Sequence, residues 1–140
     1  MYRVFFADDE AAMRDGLRNS ITCEGSRFSL AGEAPDGELA LSMIAETTPD
    51  ILITDVRMPF MDGIELSRRV ARTMPWVKII ILSGHDEFEY AKQAIKIGVT
   101  EYLLKPVTSV ILFQALENAA RAIDAERERR RAFDALRTEA

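Results

Sequence analysis

The sequence predicts a doubly wound α/β fold, a five-stranded parallel sheet with helices on both faces. Two observations carry this. Five short apolar, β-rich runs alternate with five segments of helical period, the order of a sheet joined by right-handed crossovers. Three of the runs, Val4-Phe5-Phe6-Ala7, Ile51-Leu52-Ile53-Thr54 and Ile79-Ile80-Ile81-Leu82, are continuous rather than alternating, as strands buried on both faces are.

The first strand is expected over Arg3–Ala7, followed by a helix whose periodic positions are Ala12, Leu17 and Ile21. The second strand, Phe28–Glu33, leads through Asp36, a residue type suited to capping, into a helix carrying Leu39, Met43 and Ile44. The third strand, Ile51–Asp55, precedes a helix with Leu66, Val70 and Met74. The fourth, Lys78–Ser83, precedes a helix with Asp86 as its cap and Gly98 at the left-handed position past its end. That helix has two apolar faces. Phe88, Ala91, Ile95 and Gly98 are expected on the sheet. Tyr90, Ala94 and Ile97 are expected outside, forming a partner or homodimer surface with the fifth strand and helix. The fifth strand spans Glu101–Leu104, and the last helix starts near Thr108 and runs through Leu112, Leu116 and Ile123.

Composition narrows the function. The 140 residues carry 18 basic and 23 acidic side chains, a net charge of −5, which argues against this segment gripping nucleic acid itself. Cys23 is the lone cysteine and reads as a small, partly buried apolar residue; one thiol allows neither a disulfide framework nor a thiolate zinc site. His85 is the lone histidine, so no multi-histidine metal site can form, and it reads best as a loop side chain. No apolar run approaches a membrane span, and the start MYRVFF enters a strand without signal-peptide anatomy, so a soluble cytoplasmic protein is expected. Residues 121–140 differ from the rest: six arginines and five acids crowd into them. They are expected to be a charged helical extension beyond a compact domain of residues 1–120. Its seam of Leu112, Leu116, Ala119 and Ile123 is broken by Glu126 and Arg130, which suits a linker helix with a Glu126–Arg130 pair better than a sustained coiled coil.

In a parallel sheet every strand ends on one edge, and ligands bind there, where strand order reverses. Here those ends deliver Asp8-Asp9-Glu10, Asp55, Ser83-Gly84 and Lys105-Pro106. Crowded carboxylates repel one another, and a cation relieves the repulsion. With oxygen donors alone, Mg²⁺ is favoured over zinc. Asp55 can attack a phosphoryl group to form an acyl phosphate. Lys105 and the metal would neutralise charge, and the Ser83 hydroxyl can donate to a phosphoryl oxygen.

These residues carry a family resemblance. With Asp8-Asp9-Glu10, Asp55-Val56-Arg57-Met58-Pro59-Phe60-Met61-Asp62-Gly63, Ser83-Gly84, Gly98-Val99-Thr100-Glu101-Tyr102 and Lys105-Pro106 in order, residues 1–120 resemble the receiver domain of two-component response regulators. The resemblance implies the flavodoxin-like strand order 2-1-3-4-5. It implies Asp55 as phosphoacceptor, with Mg²⁺ held by Asp8, Asp9, Asp55 and the backbone carbonyl of Arg57. Ser83 would bind the phosphoryl group, Lys105 would pair with it, Tyr102 would be the aromatic partner of the Ser83 switch, and the Lys105–Pro106 bond would be cis. The donor would be a phosphohistidine on a sensor histidine kinase. The chain would not be a turnover enzyme; it would catalyse only its own phosphorylation and slow dephosphorylation. The run Ser83-Gly84-His85-Asp86-Glu87-Phe88-Glu89-Tyr90-Ala91 is similar to that of regulators with an AraC-type DNA-binding domain. That implies a transcriptional output domain absent from this chain, through which alone nucleic acid would be bound.

Two other classes share parts of this pattern. A Mg²⁺-dependent small-molecule phosphatase of the haloacid-dehalogenase kind wants a second Asp two positions after the nucleophile, where this chain has Arg57. A flavodoxin-like cofactor binder wants a phosphate-receiving first loop, where this chain has acids. His85 and Arg57, expected to flank the pocket, are candidates for tuning hydrolysis of the Asp55 phosphate.

Overall fold

The computed structural model describes residues 1–22, 25–84 and 88–139, with residues 138 and 139 described for the backbone only. Five strands, β1 (Tyr2–Ala7), β2 (Phe28–Ala34), β3 (Ile51–Asp55), β4 (Lys78–Ser83) and β5 (Glu101–Leu104), alternate with five helices. The helices are α1 (Ala11–Ile21), α2 (Gly37–Thr47), α3 (Gly63–Thr73), α4 (Phe88–Ile97) and α5 (Ser109–Glu139). All neighbouring strands pair in parallel, in the order 2-1-3-4-5. The first two strands are each one residue longer than the sequence predicts, at Tyr2 and at Ala34.

The continuous apolar runs do what their pattern requires. Successive side chains of a strand point to opposite faces. Val4, Phe6, Ile51, Ile53, Ile80 and Leu82 pack with Leu17, Ile21, Leu112 and Leu116 of α1 and α5. Phe5, Ala7, Leu52, Ile79 and Ile81 pack with Ile44, Leu66, Val70 and Ala94 of α2, α3 and α4. Two cores therefore share one sheet, which fixes its central strands against slippage, since a one-residue slip would exchange the two faces.

Local chemistry sets the helix ends. Asp36 accepts a hydrogen bond from the Leu39 N–H at the start of α2, Asp62 does the same for Glu65 in α3, and Thr108 Oγ1 accepts from the Ile111 N–H in α5. Gly98 closes α4 with φ +86°, its N–H donating back to the Ala94 and Ile95 carbonyls. The expected cap Asp86, with His85 and Cys23, lies outside the described residues.

Three expectations are corrected. Ala12 and Leu39 face solvent; their helices reach the sheet through Leu17 and Ile21 and through Ala40 and Ile44. On α4 the two faces are exchanged: Ala94 is fully buried, with Tyr90 and Ile97 packed beside it, whereas Phe88 and Ile95 are 78% and 79% exposed. The small Ala94 lets the helix lie close to the sheet, and apolarity alone could not say which stripe turns inward. In the extension, Glu126 takes Lys78 as its partner rather than Arg130. With Arg127 on Asp50, the Tyr2 hydroxyl on Asp124, and Ile123 buried, this packs α5 against the amino-terminal edge of the sheet well past residue 120. Among the described residues no helix is long and apolar enough to cross a membrane.

Candidate functional site

The carboxyl-terminal sheet edge collects the groups the sequence places there. Strand register sets Ala7 beside Thr54 and Asp55 beside Leu82, so Asp8, one residue past β1, arrives next to Asp55 at the end of β3. This is the crevice where strand order reverses. One carboxylate oxygen from each of Asp8, Asp9 and Asp55 lies within 4.8 Å of the others. Asp8 is 1% and Asp55 8% exposed, while Asp9 is open to solvent. Ser83 is buried at the end of β4, and its carbonyl accepts a hydrogen bond from the Lys105 N–H, tying the two strand ends together. The Lys105–Pro106 bond is cis, as the resemblance implies.

Lys105 is the positive centre of the cluster. Its Nζ lies 3.4 Å from Asp8 Oδ2 and 3.4 Å from Asp55 Oδ1. Burial works against the ammonium, but the Asp55 and Asp8 carboxylates outweigh it and hold the group above its ordinary range. Asp55 shows the opposite tension. Burial pushes its carboxyl up, Lys105 pulls it down, and the Asp8 charge pushes it up again; the net shift is upward. One lysine thus leaves three carboxylates under-compensated, an arrangement that fits a hard divalent cation by the chemistry of its donors.

The surroundings hold these groups in place. Asp8 Oδ1 accepts from the Glu10 N–H and the Asp8 carbonyl from Arg14 Nη1, while Asp55 Oδ1 accepts from the Val56 N–H. Gly63 donates to the Val56 carbonyl at 2.7 Å, and α3 begins so close to β3 that a Cβ at Gly63 would sit 1.8 Å from the Asp55 carbonyl oxygen. Asp62 and Gly63 thus anchor the loop after Asp55, a role that a capping residue followed by glycine before a helical segment signals in sequence. Within that loop Phe60 has φ +69°, and the Met61 N–H donates to the Pro59 carbonyl across it, the γ-turn of positive φ. For a bulky side chain this backbone costs about 1–3 kcal/mol, and no local sequence signal marks it.

The switch candidates sit behind the site. Tyr102 packs among the buried residues of the α2–α4 face, and its hydroxyl is buried without a hydrogen-bond partner among the described residues. The Arg57 side chain is exposed, with its guanidinium 5.9 Å from the centre of the Tyr90 ring. The expectation that His85 flanks the pocket together with Arg57 falls on a position outside the described residues.

The comparisons agree with this geometry. The curated transcriptional regulatory protein YesN of Bacillus subtilis (strain 168) is 46% identical over 117 residues, which are 84% of this chain and 32% of that protein. The transcriptional regulatory protein HptR of Staphylococcus aureus (strain NCTC 8325 / PS 47) is 41% identical over 107 residues, 76% of this chain and 42% of that protein. The chain therefore spans about a third to under half of these relatives. Among solved structures, the REC domain of AraT, a response regulator from Geobacillus stearothermophilus, superposes with a TM-score of 0.76 at 35% identity, covering 92% of this chain and 98% of that one. A signalling receiver rather than a metabolic phosphatase is what these similarities support. The profile of the response regulator receiver domain matches residues 4–117, and the chain belongs to that family as a receiver domain of two-component response regulators.

Proposed function

We propose that Asp55 is the phosphoacceptor of this receiver, that Asp8, Asp9, Asp55 and the Arg57 carbonyl hold Mg²⁺, and that the donor is a phosphohistidine of a sensor histidine kinase. The observation that carries this is the convergence of three carboxylates on Lys105 at the edge where β1 and β3 part. When bound, the cation neutralises charge on the phosphoryl oxygens. An Asp55 oxygen forms the new bond to phosphorus as the phosphorus–nitrogen bond to imidazole breaks. The donor ring, protonated on its other nitrogen, departs with that electron pair as neutral imidazole. Lys105 pairs with the phosphoryl group in place of Asp55, and Ser83 donates a hydrogen bond to it. The chain works as an acceptor that turns over slowly, not as an enzyme acting on metabolites.

Phosphorylation would draw Ser83 toward the site and bias Tyr102, which packs half-buried against the core on the α2–α4 side of the sheet. The surface that reads this change is the exposed apolar face of Phe88, Ile95, Leu104, Val110 and Ile111, which offers a homodimer contact. The relatives' greater length supports an output domain beyond residue 140, of AraC type by the resemblance of residues 83–91, reached through residues 121–140 and binding DNA on the whole protein's behalf. A cytoplasmic location follows from that role.

The test is to incubate the chain with phosphoramidate and Mg²⁺ and follow both protein mass and free phosphate. One phosphoryl group per chain, with phosphate released only slowly, supports the proposal. Continuous release of phosphate without a labelled protein, as a phosphatase gives, overturns it.

A further inference from the structure

We infer that Phe60 is a recognition anchor for the protein that delivers the phosphoryl group; this rests on the acceptor role of Asp55 proposed above. Phe60 is 83% exposed, so its strained backbone is offset by no packing of its ring. The turn that displays it is held on both sides. Pro59 precedes it with a restricted φ. The Met61 N–H closes the turn onto the Pro59 carbonyl, and the Met61 carbonyl accepts from the Gly37 N–H at the start of α2. A Cβ at Gly37 would lie 2.2 Å from that carbonyl oxygen, so the two loops are in close backbone contact. The ring is thus presented outward from a fixed support.

Position selects the occupant. Phe60 lies five residues after Asp55 on the loop that leaves the acceptor. Asp55 is recessed, so a protein phosphohistidine reaches it only if the surface around that histidine closes over the loops at this edge. A second copy of this chain or an output domain has no such obligation to cover Phe60. Aromatic residues that enter a binding pocket carry a large share of interface energy, and a rigid mount lowers the entropy lost on docking. A small phosphodonor needs no such surface, so Phe60 should govern transfer from a protein and not from a small molecule.

The experiment compares the parent chain with Phe60→Gly and Phe60→Asn, two residue types that accept this backbone readily. Three readouts are taken: the urea midpoint, the rate of labelling by phosphoramidate with Mg²⁺, and kcat/KM for transfer from the autophosphorylated sensor kinase that labels the parent chain fastest. Both variants should keep the parent's midpoint or exceed it and keep the phosphoramidate rate within about twofold, yet lose about tenfold or more in transfer from the kinase, the scale of a hot-spot contact. Transfer within about twofold of the parent in either folded variant overturns the inference. So does an equal fall in both rates, which would make the loop a support for Asp55, and so does a parent chain that no kinase labels. Two unfolded variants would make Phe60 structural and also overturn it. A parent chain that phosphoramidate fails to label points instead to failure of the acceptor role.

Discussion

Replacing Gly63 with alanine should separate the anchor of the acceptor loop from ordinary helix propensity. In the parent, α3 starts against the end of β3, and the added methyl would sit 1.8 Å from the Asp55 carbonyl oxygen. Contacts under 3.0 Å essentially never occur, so the helix start and strand end must separate by at least about 1.2 Å. The obstructing atom is backbone, so no side chain can rotate away. Forced overpacking costs about 1–3 kcal/mol. Separation also stretches the hydrogen bond from the Gly63 N–H to the Val56 carbonyl, a loss of about 0.5–1.5 kcal/mol. Together these give a destabilisation of about 2–4 kcal/mol and a fall in Tm of roughly 5–15 °C for a chain of this size. Gly16→Ala is the internal control. It lies on the exposed side of α1 with nothing within 4 Å of the new methyl, so it should gain about 0.5–1 kcal/mol. Urea melts of the three proteins read both effects through the midpoint at constant slope. A Gly63→Ala variant as stable as its parent, or two alanine variants that shift the same way, would refute the steric argument.

Lys105→Met should destabilise the chain by about 3–5 kcal/mol in chelator, because it strips the shared cation from the buried Asp8 and Asp55. It should tighten Mg²⁺ binding in calorimetry, since the ammonium competes for the same oxygens. Asp55→Asn tests the titration. Because the native Asp55 carboxyl is raised, its contribution to stability is complete below the ordinary carboxylate range and is lost as pH rises through the raised value. In chelator the variant should therefore melt above the parent at neutral pH, with the gap closing as pH falls through the carboxylate range. Truncation after residue 120 should cost about 2–4 kcal/mol by removing the buried Ile123 and the contacts of Asp124, Glu126 and Arg127, whereas truncation after residue 130 should change the urea midpoint little.

Much of the fold was legible because its signals are local or periodic. Continuous apolar runs mark strands covered on both faces, and Asp36, Thr108 and Gly98 act at helix ends through their own short-range geometry. The polar groups at the sheet edge were legible because a parallel sheet sends every strand end to one place, so Asp8, Asp9, Asp55, Ser83 and Lys105 could be gathered without knowing a single distance. What escaped depended on tertiary choice. On α4 the stripes of Phe88 and Tyr90 are both apolar, and only packing against the sheet selects the one through Ala94. Glu126 had a suitable Arg130 one helical turn away, yet folding brings Lys78 from β4 within reach. The positive φ of Phe60 accompanies a hydrogen bond from Gly37 to Met61, a contact between loops far apart in sequence.

In the proposed function one side chain at this edge, Asp55, captures phosphate under the control of a divalent cation. Peptide mapping of protein labelled by phosphoramidate tests it most directly. The label is expected on the peptide containing Asp55, to disappear when Mg²⁺ is chelated, and to be absent from Asp55→Asn. A label on another residue in the parent, or one that survives chelation unchanged, would contradict it.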